Sequence, residues 1–469
     1  NADSSATGKT NYYVDTDSDG YGAGAATAYC DPPGGVVTNN TDCAPANNAV
    51  HPGATEICGN GLDDNCVGGD LACACTANAD VCNVDGRTLQ HCLADGSGFD
   101  GALDVTCPYL CNGNHCAIQS NVDDALMVAC DGTAAPLAPT TGTVTLTDLG
   151  INCSAGCGDG SSITAFASDV DTVTYCVSTL SIPAGVTFYT DYTETRAVIF
   201  IVDGNATLAG TIDFNGEAMT LDPGINDAAG GAAGPGAGAG ADGASASTSG
   251  KDGDRPAPIA GIGGGGGVRV NSGTSRTAGG GGGGGFAGAG GSGGAGGNGG
   301  TGGTGGGTYT DSTLVPLVGG SGGGSGGDGY STWGGGPGGG GGGALQLIVR
   351  RTLALTGTLT ANGGTGAPEN DAHGGGGGGS GGALLLEAGT LTISGGTLRV
   401  QGGNGGTSSG AGGAGASGVT MLGGSGGAGG TNYGGGGGGG GGGRVRLNSA
   451  NSAVCSGVSP SGACTTGAL

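Results

Sequence analysis

Three stretches decide the architecture: AVIFIVDGNATLAGTIDFNG at 197–216, ALQLIVRRTLALTGTLTANG at 344–363 and ALLLEAGTLTISGGTLRVQG at 383–402. Each is 20 residues long, and the three align without a gap. They share Gly210-Thr211-Ile212, Gly357-Thr358-Leu359 and Gly396-Thr397-Leu398, and each ends in glycine. An apolar run opens each unit. Alternating apolar and small or polar residues follow, the pattern of short strands broken by turns. Gly443-Arg444-Val445-Arg446-Leu447 reads as a truncated fourth copy. Such repeats predict rungs of a β-solenoid, where each unit buries its apolar face against its neighbours. Strand-like pieces at 143–146, 173–176 and 186–189 supply the first rungs.

Glycine dominates what lies between the copies. Residues 221–443 hold 95 of the chain's 124 glycines. A flexible linker is the ordinary reading of such composition. A period of three argues against it here: Ala289, Ser292, Ala295, Asn298, Thr301 and Thr304 each stand two glycines apart. Ser425, Ala428 and Thr431 repeat the pattern. A polyproline-II-type helix has three residues per turn and no internal hydrogen bonds. On it these side chains fall on one edge, and the two bare edges can exchange N–H···O=C bonds with neighbouring segments. The expectation is ordered polyglycine II, built from long excursions of a spatially continuous solenoid core.

Composition excludes several classes. Glycine at this level is incompatible with long helices, since each interior glycine costs about 1 kcal/mol relative to alanine. Sixteen prolines without a strict Gly-X-Y repeat exclude collagen. The net charge is −25, and Lys9 and Lys251 are the only lysines, so nucleic acid is not an expected partner. No apolar run approaches the length of about 18 residues needed to span a bilayer. Seventeen cysteines point to an oxidising compartment, and Asn1 in first place is expected where a secretion signal has been removed. Fifteen cysteines lie between Cys30 and Cys176, and the other two are Cys455 and Cys464.

The N-terminal 72 residues carry the clearest chemistry. Asp15, Asp17 and Asp19 alternate ahead of Gly20, Tyr21 and Gly22. Three carboxylates at alternate positions before a glycine turn make an oxygen cage for a hard cation, and calcium fits best. The twelfth position of an EF-hand would be a bidentate glutamate, but here it is Ala26. Further ligands must come from elsewhere: Asp42, Asp63 and Asp64 are candidates, with Asn65 beside them.

The stretch YYVDTDSDGYG, then CDPPGG, then TDCAPANNAVHPGATEICGNGLDDNC, resembles the MopE-type metal-binding motif of secreted myxobacterial and related proteins. The resemblance covers about residues 11–69. It implies the pairs Cys30–Cys43 and Cys58–Cys66. Ala44 and Val67 stand where members usually carry acids, which reduces the ligand count. Cys75, Cys82, Cys92, Cys107, Cys111 and Cys116 follow, resembling the small cysteine-rich modules of the same secreted proteins and allowing 15 pairings. Zinc is the rival reading there, because His91 adjoins Cys92 and His115 adjoins Cys116. Cys130, Cys153, Cys157 and Cys176 are expected to staple the first rungs, and Cys455 to pair with Cys464. Cys73 is then the odd one, either a free thiol or a bond to another chain.

The expected fold is therefore all-β: a β-solenoid-like core with long polyglycine-II excursions, preceded by small disulfide-rich calcium-binding modules. Its parts are a metal-binding disulfide module at 1–72, a small cysteine-rich module at 73–118 and a stapled β cap with first rungs at 119–196. The glycine-rich solenoid follows at 197–450, and a disulfide loop at 451–469 closes the chain. By composition, the glycine half is similar to glycine-rich domains of mycobacterial surface proteins and to polyglycine-II tips of phage tail fibres.

Catalysis finds little support. The rungs offer isolated acids (Asp203, Asp213, Glu387) and arginines (Arg350, Arg351, Arg399, Arg444, Arg446), and Asp371 and His373 lie in an excursion without a serine motif. The primary expectation is a secreted, extracellular structural protein, a subunit of a fibre or surface layer that associates head to tail through residues 440–469. The alternative is a cell-surface adhesin or a glycan- or ice-binding module. A polysaccharide-active enzyme ranks third.

Overall fold

The fold is that of a computed structural model. It describes residues 7–469 apart from 85–86, 95, 108–110, 113, 117–120, 123, 131–133, 159–161, 221–227, 246–247, 258, 260–262, 273–274, 311, 330–333, 370–371, 418–419 and 452. The chain is nearly all β and rich in disulfides. It divides into two compact units, Asn1–Ala117 and Ile118–Leu469.

In the second unit the repeats pair side by side, parallel and in the register of their alignment. Val198–Val202 lie opposite Leu345–Val349, and Ala344–Val349 opposite Ala383–Ala388. The shared Gly-Thr-Ile/Leu triplets also stack, with Thr211 beside Thr358 and Thr358 beside Thr397. The third copy departs from the alignment once, where a bulge between Val349 and Thr352 shifts its register by one residue. The turn at Ser394–Gly396 restores it, with Gly395 at φ +75°. Arg444–Ser449 pairs with the start of the third copy, as the truncated fourth copy should. Upstream, Thr172–Val177 pairs with Ala197–Val202, and Thr187–Thr190 pairs with both Thr143–Thr147 and Thr211–Asp213.

These coils build two sheets of eight and nine strands. Alternate residues point between them, giving an interior of Val198, Phe200, Val202, Leu345, Leu347 and Val349 with their counterparts in each coil. Tyr175 stacks on Phe200 at 5.4 Å, and Phe188 meets Phe200 and Phe214 edge-on. Burial of the Tyr175 ring pushes its hydroxyl up to about 12. The opposite faces of the repeat strands are covered too: Ile199, Ile201, Ile348 and Leu385 are all buried. Strands covered on both faces read as continuous apolar runs, which is why each repeat opens as it does.

Polar ladders tie the coils at their turns. The Asn215 side chain accepts the Asn362 N–H at 2.6 Å, and the Asn362 side chain accepts the Gln401 N–H at 2.8 Å. Gln401 then donates to Ser459.

The glycine-rich excursions form a hydrogen-bonded lattice with a period of three. Residues 279–284 show it most fully. Gly279 and Gly282 donate to Val268 and Gly265, Gly280 and Gly283 to Gly294 and Gly291, and Gly281 and Gly284 to Gly375 and Gly378. Their carbonyls accept from Gly327 and Gly324, from Gly303 and Gly306, and from Gly438 and Gly441. One segment is thus bonded to six others, at N···O distances of 2.8–3.1 Å. A side chain cannot fit inside: a Cβ on Gly281, Gly282 or Gly283 would collide with the carbonyl oxygen of Gly324, Thr304 or Gly439 respectively. Gly296 and Gly300, with φ −75°, ψ 154° and φ −61°, ψ 128°, are extended. Ser292, Ala295, Asn298, Thr301 and Thr304 are exposed, on the free edge that the triplet pattern predicts.

This packing separates two neighbouring substitutions. A Cβ on Gly294 would strike the carbonyl of Gly427, whereas Ala295 faces solvent. Gly294→Val should therefore lower stability by about 1–3 kcal/mol or more, as overpacking does. Ala295→Ser should stay within about 0.5 kcal/mol of the parent. Thermal denaturation of both variants checks this, and equal melting would refute the lattice.

Candidate metal centre

The first unit places the acidic loop at the tip of a hairpin. Thr10–Val14 pairs antiparallel with Ala23–Tyr29, and Val36–Val37 flanks it. Asp15 winds the loop: its carboxylate accepts the Ser18 N–H at 2.8 Å and the Gly20 N–H at 3.2 Å. The Asp19 carboxylate accepts the Tyr21 N–H. The winding puts Ser18 at φ +70° and Gly20 at φ +92°, so glycine is needed at the second position. The ligand atoms of Asp15, Asp17 and Asp19 consequently lie within 4.8 Å of one another, the one such group among the described residues.

Several carboxylate oxygens here lack partners. Both oxygens of Asp17 and the Oδ2 atoms of Asp19 and Asp42 are shielded from solvent and receive no hydrogen bond. Asp42 is tied to the same loop, its N–H donating to the Gly22 carbonyl. Shielded carboxylate oxygens without donors are costly unless a cation faces them. The residues present therefore fit a hard cation at Asp15–Asp19.

Not all the candidates join this group. The Asp63 carboxylate accepts the N–H groups of Val67 and Gly69, and buried Asp64 accepts from the Ile57 N–H and the Asn60 side chain. Both acids order the 56–70 loop through its backbone. Asn65 caps the Val67 N–H. The Tyr21 ring stacks on His51 at 5.3 Å. Asn39 was not singled out, yet it clamps the loop by accepting from the Gly22 N–H and donating to the Gly20 carbonyl. Its position at the head of the N-x-T triplet Asn39-Asn40-Thr41 gives no hint of this role; only the return of the chain past the hairpin tip places it there.

The disulfides correct the expected pairing. Cys43 bonds Cys66 and Cys58 bonds Cys73, so neither Cys30–Cys43 nor Cys58–Cys66 forms. The odd cysteine is Cys30, free and exposed, not Cys73. The hairpin explains why. Seven extended residues, Ala23–Tyr29, separate Cys30 from the loop end where Asp42 and Cys43 attach. At about 3.3 Å per residue that is some three times the Cα separation a disulfide tolerates. The Cys58–Cys73 bond also carries the first module past residue 72.

The six following cysteines pair as Cys75–Cys92, Cys82–Cys111 and Cys107–Cys116, which leaves no thiolate for zinc, and His91 bonds Asp80 instead. Cys130–Cys176, Cys153–Cys157 and Cys455–Cys464 complete the set.

The residues weighed for catalysis are dispersed. Arg350 pairs with Asp203 and with the Met127 carbonyl. Buried Glu387 lies between the side-chain amides of Gln346 and Asn448. His373 pairs with buried Asp328 at 2.7 Å, and Asp371 lies outside the described residues.

A family model described as a metal-binding motif, Cu-binding MopE, matches residues 42–70. No curated protein and no solved structure matches the chain. The matched segment holds Asp42 and the Cys43–Cys66 bond, and it directly follows the Asp15–Asp19 hairpin.

The pairing is testable by chemistry. Alkylation of the native protein should label one thiol per chain, at Cys30. Non-reducing peptide mapping should recover 43–66 and 58–73 as linked pairs. Label at Cys73 would refute the assignment.

Proposed function

We propose that the chain is an extracellular structural protein, a subunit of a secreted fibre or surface layer. In this reading a calcium-clamped module precedes a β-solenoid whose excursions form polyglycine II. The observation that carries it is the six-neighbour backbone lattice. Through residues 279–284 its interior is hydrogen-bonded main chain, with a few buried serines such as Ser321 and Ser380 joining the network, which makes a stiff filler. Eight disulfides suit an oxidising, extracellular setting.

Calcium is the ion we assign to the Asp15–Asp19 loop. Its donors are carboxylate oxygens, the chemistry of a hard cation. The copper in the family model's name favours imidazole and sulfur ligands. Here the neighbouring His51 ring is stacked on Tyr21, with Nδ1 near the Pro52 carbonyl.

A second reading, an adhesin or a glycan- or ice-binding module, is favoured by the exposed triplet edge. Its side chains recur every three residues, at roughly 9 Å intervals on a helix of this type. Negative-stain microscopy of the full-length protein with calcium separates the two. Fibres or sheets support the structural reading, and dispersed particles that bind ice or glycans replace it. Turnover of a polysaccharide would favour the enzyme reading instead.

Calcium should stabilise the first unit, because a ligand bound only to the folded state adds about 2.7 kcal/mol at a hundredfold excess over its Kd. The first melting transition of the full-length protein should therefore fall when calcium is chelated. Asp17→Ala should reproduce that fall even with calcium present. Identical melting in calcium and in chelator would reject the ion.

A further inference from the structure

Acids and arginines are unevenly placed along the stack of strands in the second unit. Beside the strands at its N-terminal end stand four acids, Asp148, Asp169, Asp171 and Asp191, while Glu194 is paired with Arg196. Residues 388–469, which form its C-terminal end, hold no aspartate, glutamate or lysine and three arginines, a formal +3.

At both ends each sheet finishes in a strand that pairs on one side only among the described residues. At the N-terminal end these are Ser162–Ile163 and Ala167–Ser168, and at the C-terminal end Val458–Ser459 and Cys464–Gly467. An edge strand carries unpaired N–H and C=O groups that can take up another strand. The charged side chains sit beside these edges. Exposed Arg399 lies on the strand paired with Val458–Ser459, and Arg446 on the strand paired with Cys464–Gly467. At the other end, Asp169 and Asp171 form the turn after Ala167–Ser168. Asp148 and Asp191 meet at the neighbouring corner, where Thr193 bonds both. Burial would raise the Asp169 carboxyl, but the N–H groups of Thr172 and Asp171 hold it below its ordinary value, so it is charged at neutral pH.

We propose that the chain polymerises head to tail with further copies of itself, the basic C-terminal end of one stack docking on the acidic N-terminal end of the next. This rests on the structural-subunit reading and names its partner. The contact joins each sheet of one copy to the corresponding sheet of the next. It uses two different surfaces, so it is heterologous and can propagate into a filament. Contacts between like ends would set acid against acid or arginine against arginine, which fixes the polarity.

Sedimentation velocity of the full-length protein in calcium tests this. At low salt the mass should rise above 43.0 kDa in monomer steps. It should return to monomer at about 1 M salt, where charges are screened within about 3 Å. Arg399→Glu with Arg446→Glu makes both ends acidic, and Asp148→Arg with Asp171→Arg balances the two remaining edge acids, Asp169 and Asp191, and leaves the N-terminal end without net charge. Each double variant should remain monomeric. An equimolar mixture should form dimers, because the arginine end of the second variant still meets the acidic end of the first. Arg399→Glu alone, at an exposed position, guards against a folding defect in the first pair, and each variant's melting curve should match the parent's. Variants that assemble like the parent, or a mixture that stays monomeric, would overturn this contact and leave the fibre reading intact. A parent protein that is monomeric at every salt concentration would overturn both.

Discussion

Backbone hydrogen bonding without side chains is the constraint on which the second unit depends. A buried N–H or C=O without a partner costs about 1–3 kcal/mol. Residues 279–286 are all buried, so every amide there must find an acceptor within the protein, a main-chain carbonyl or, for Gly285, the Ser321 hydroxyl. A helix would satisfy them internally, but glycine disfavours it. The extended threefold conformation leaves no internal partner, so the segments must satisfy one another. That demand brings together runs as distant in sequence as 281 and 438. Glycine is required for the same reason, since a Cβ would occupy the place of a neighbour's carbonyl.

The two parts of this unit share one register. The glycine run before each repeat strand bonds the glycine run before the next. Gly336, Gly339 and Gly342 donate to Gly374, Gly377 and Ser380, and Gly375, Gly378 and Gly381 donate to Gly435, Gly438 and Gly441. The order of the coils therefore continues into the lattice. The apolar core between the sheets fixes which strands are neighbours, and the glycine segments inherit that order. Excursions of very different length are tolerated because each returns to the same place in the stack.

Among the described residues the first unit has no comparable core, and it is held by disulfides and loop caps. Most of its acids are consumed by backbone N–H groups: Asp63, Asp64, Asp70 and Glu56 each accept at least one. Asp17 differs, with neither carboxylate oxygen bonded. This division of labour separates the ion loop from its neighbours. It also explains why, among the described residues, nine acids from Asp15 to Asp70 yield one cluster.

The sequence by itself determined the repeat strands, their order and most of their register, because three copies that align without a gap place their apolar runs and their Gly-Thr-Ile/Leu triplets side by side. It also determined the free edge of the lattice, because a threefold helix sends every third side chain the same way. The bulge at Arg350–Arg351 was not legible, since Gly395 absorbs it with a turn that the ungapped alignment hides. Nor was the identity of the six neighbours of 279–284, because pure glycine carries no phase. Cys455–Cys464 and the grouping of Cys130, Cys153, Cys157 and Cys176 were legible in the sequence, but tertiary structure alone decided the pairing in the first unit and which acids cluster. Whether Cys30 meets Cys43, or Asp63 meets Asp17, depends on where a rigid hairpin and a capped loop hold them. Local spacing cannot encode a distance that the intervening backbone sets in three dimensions.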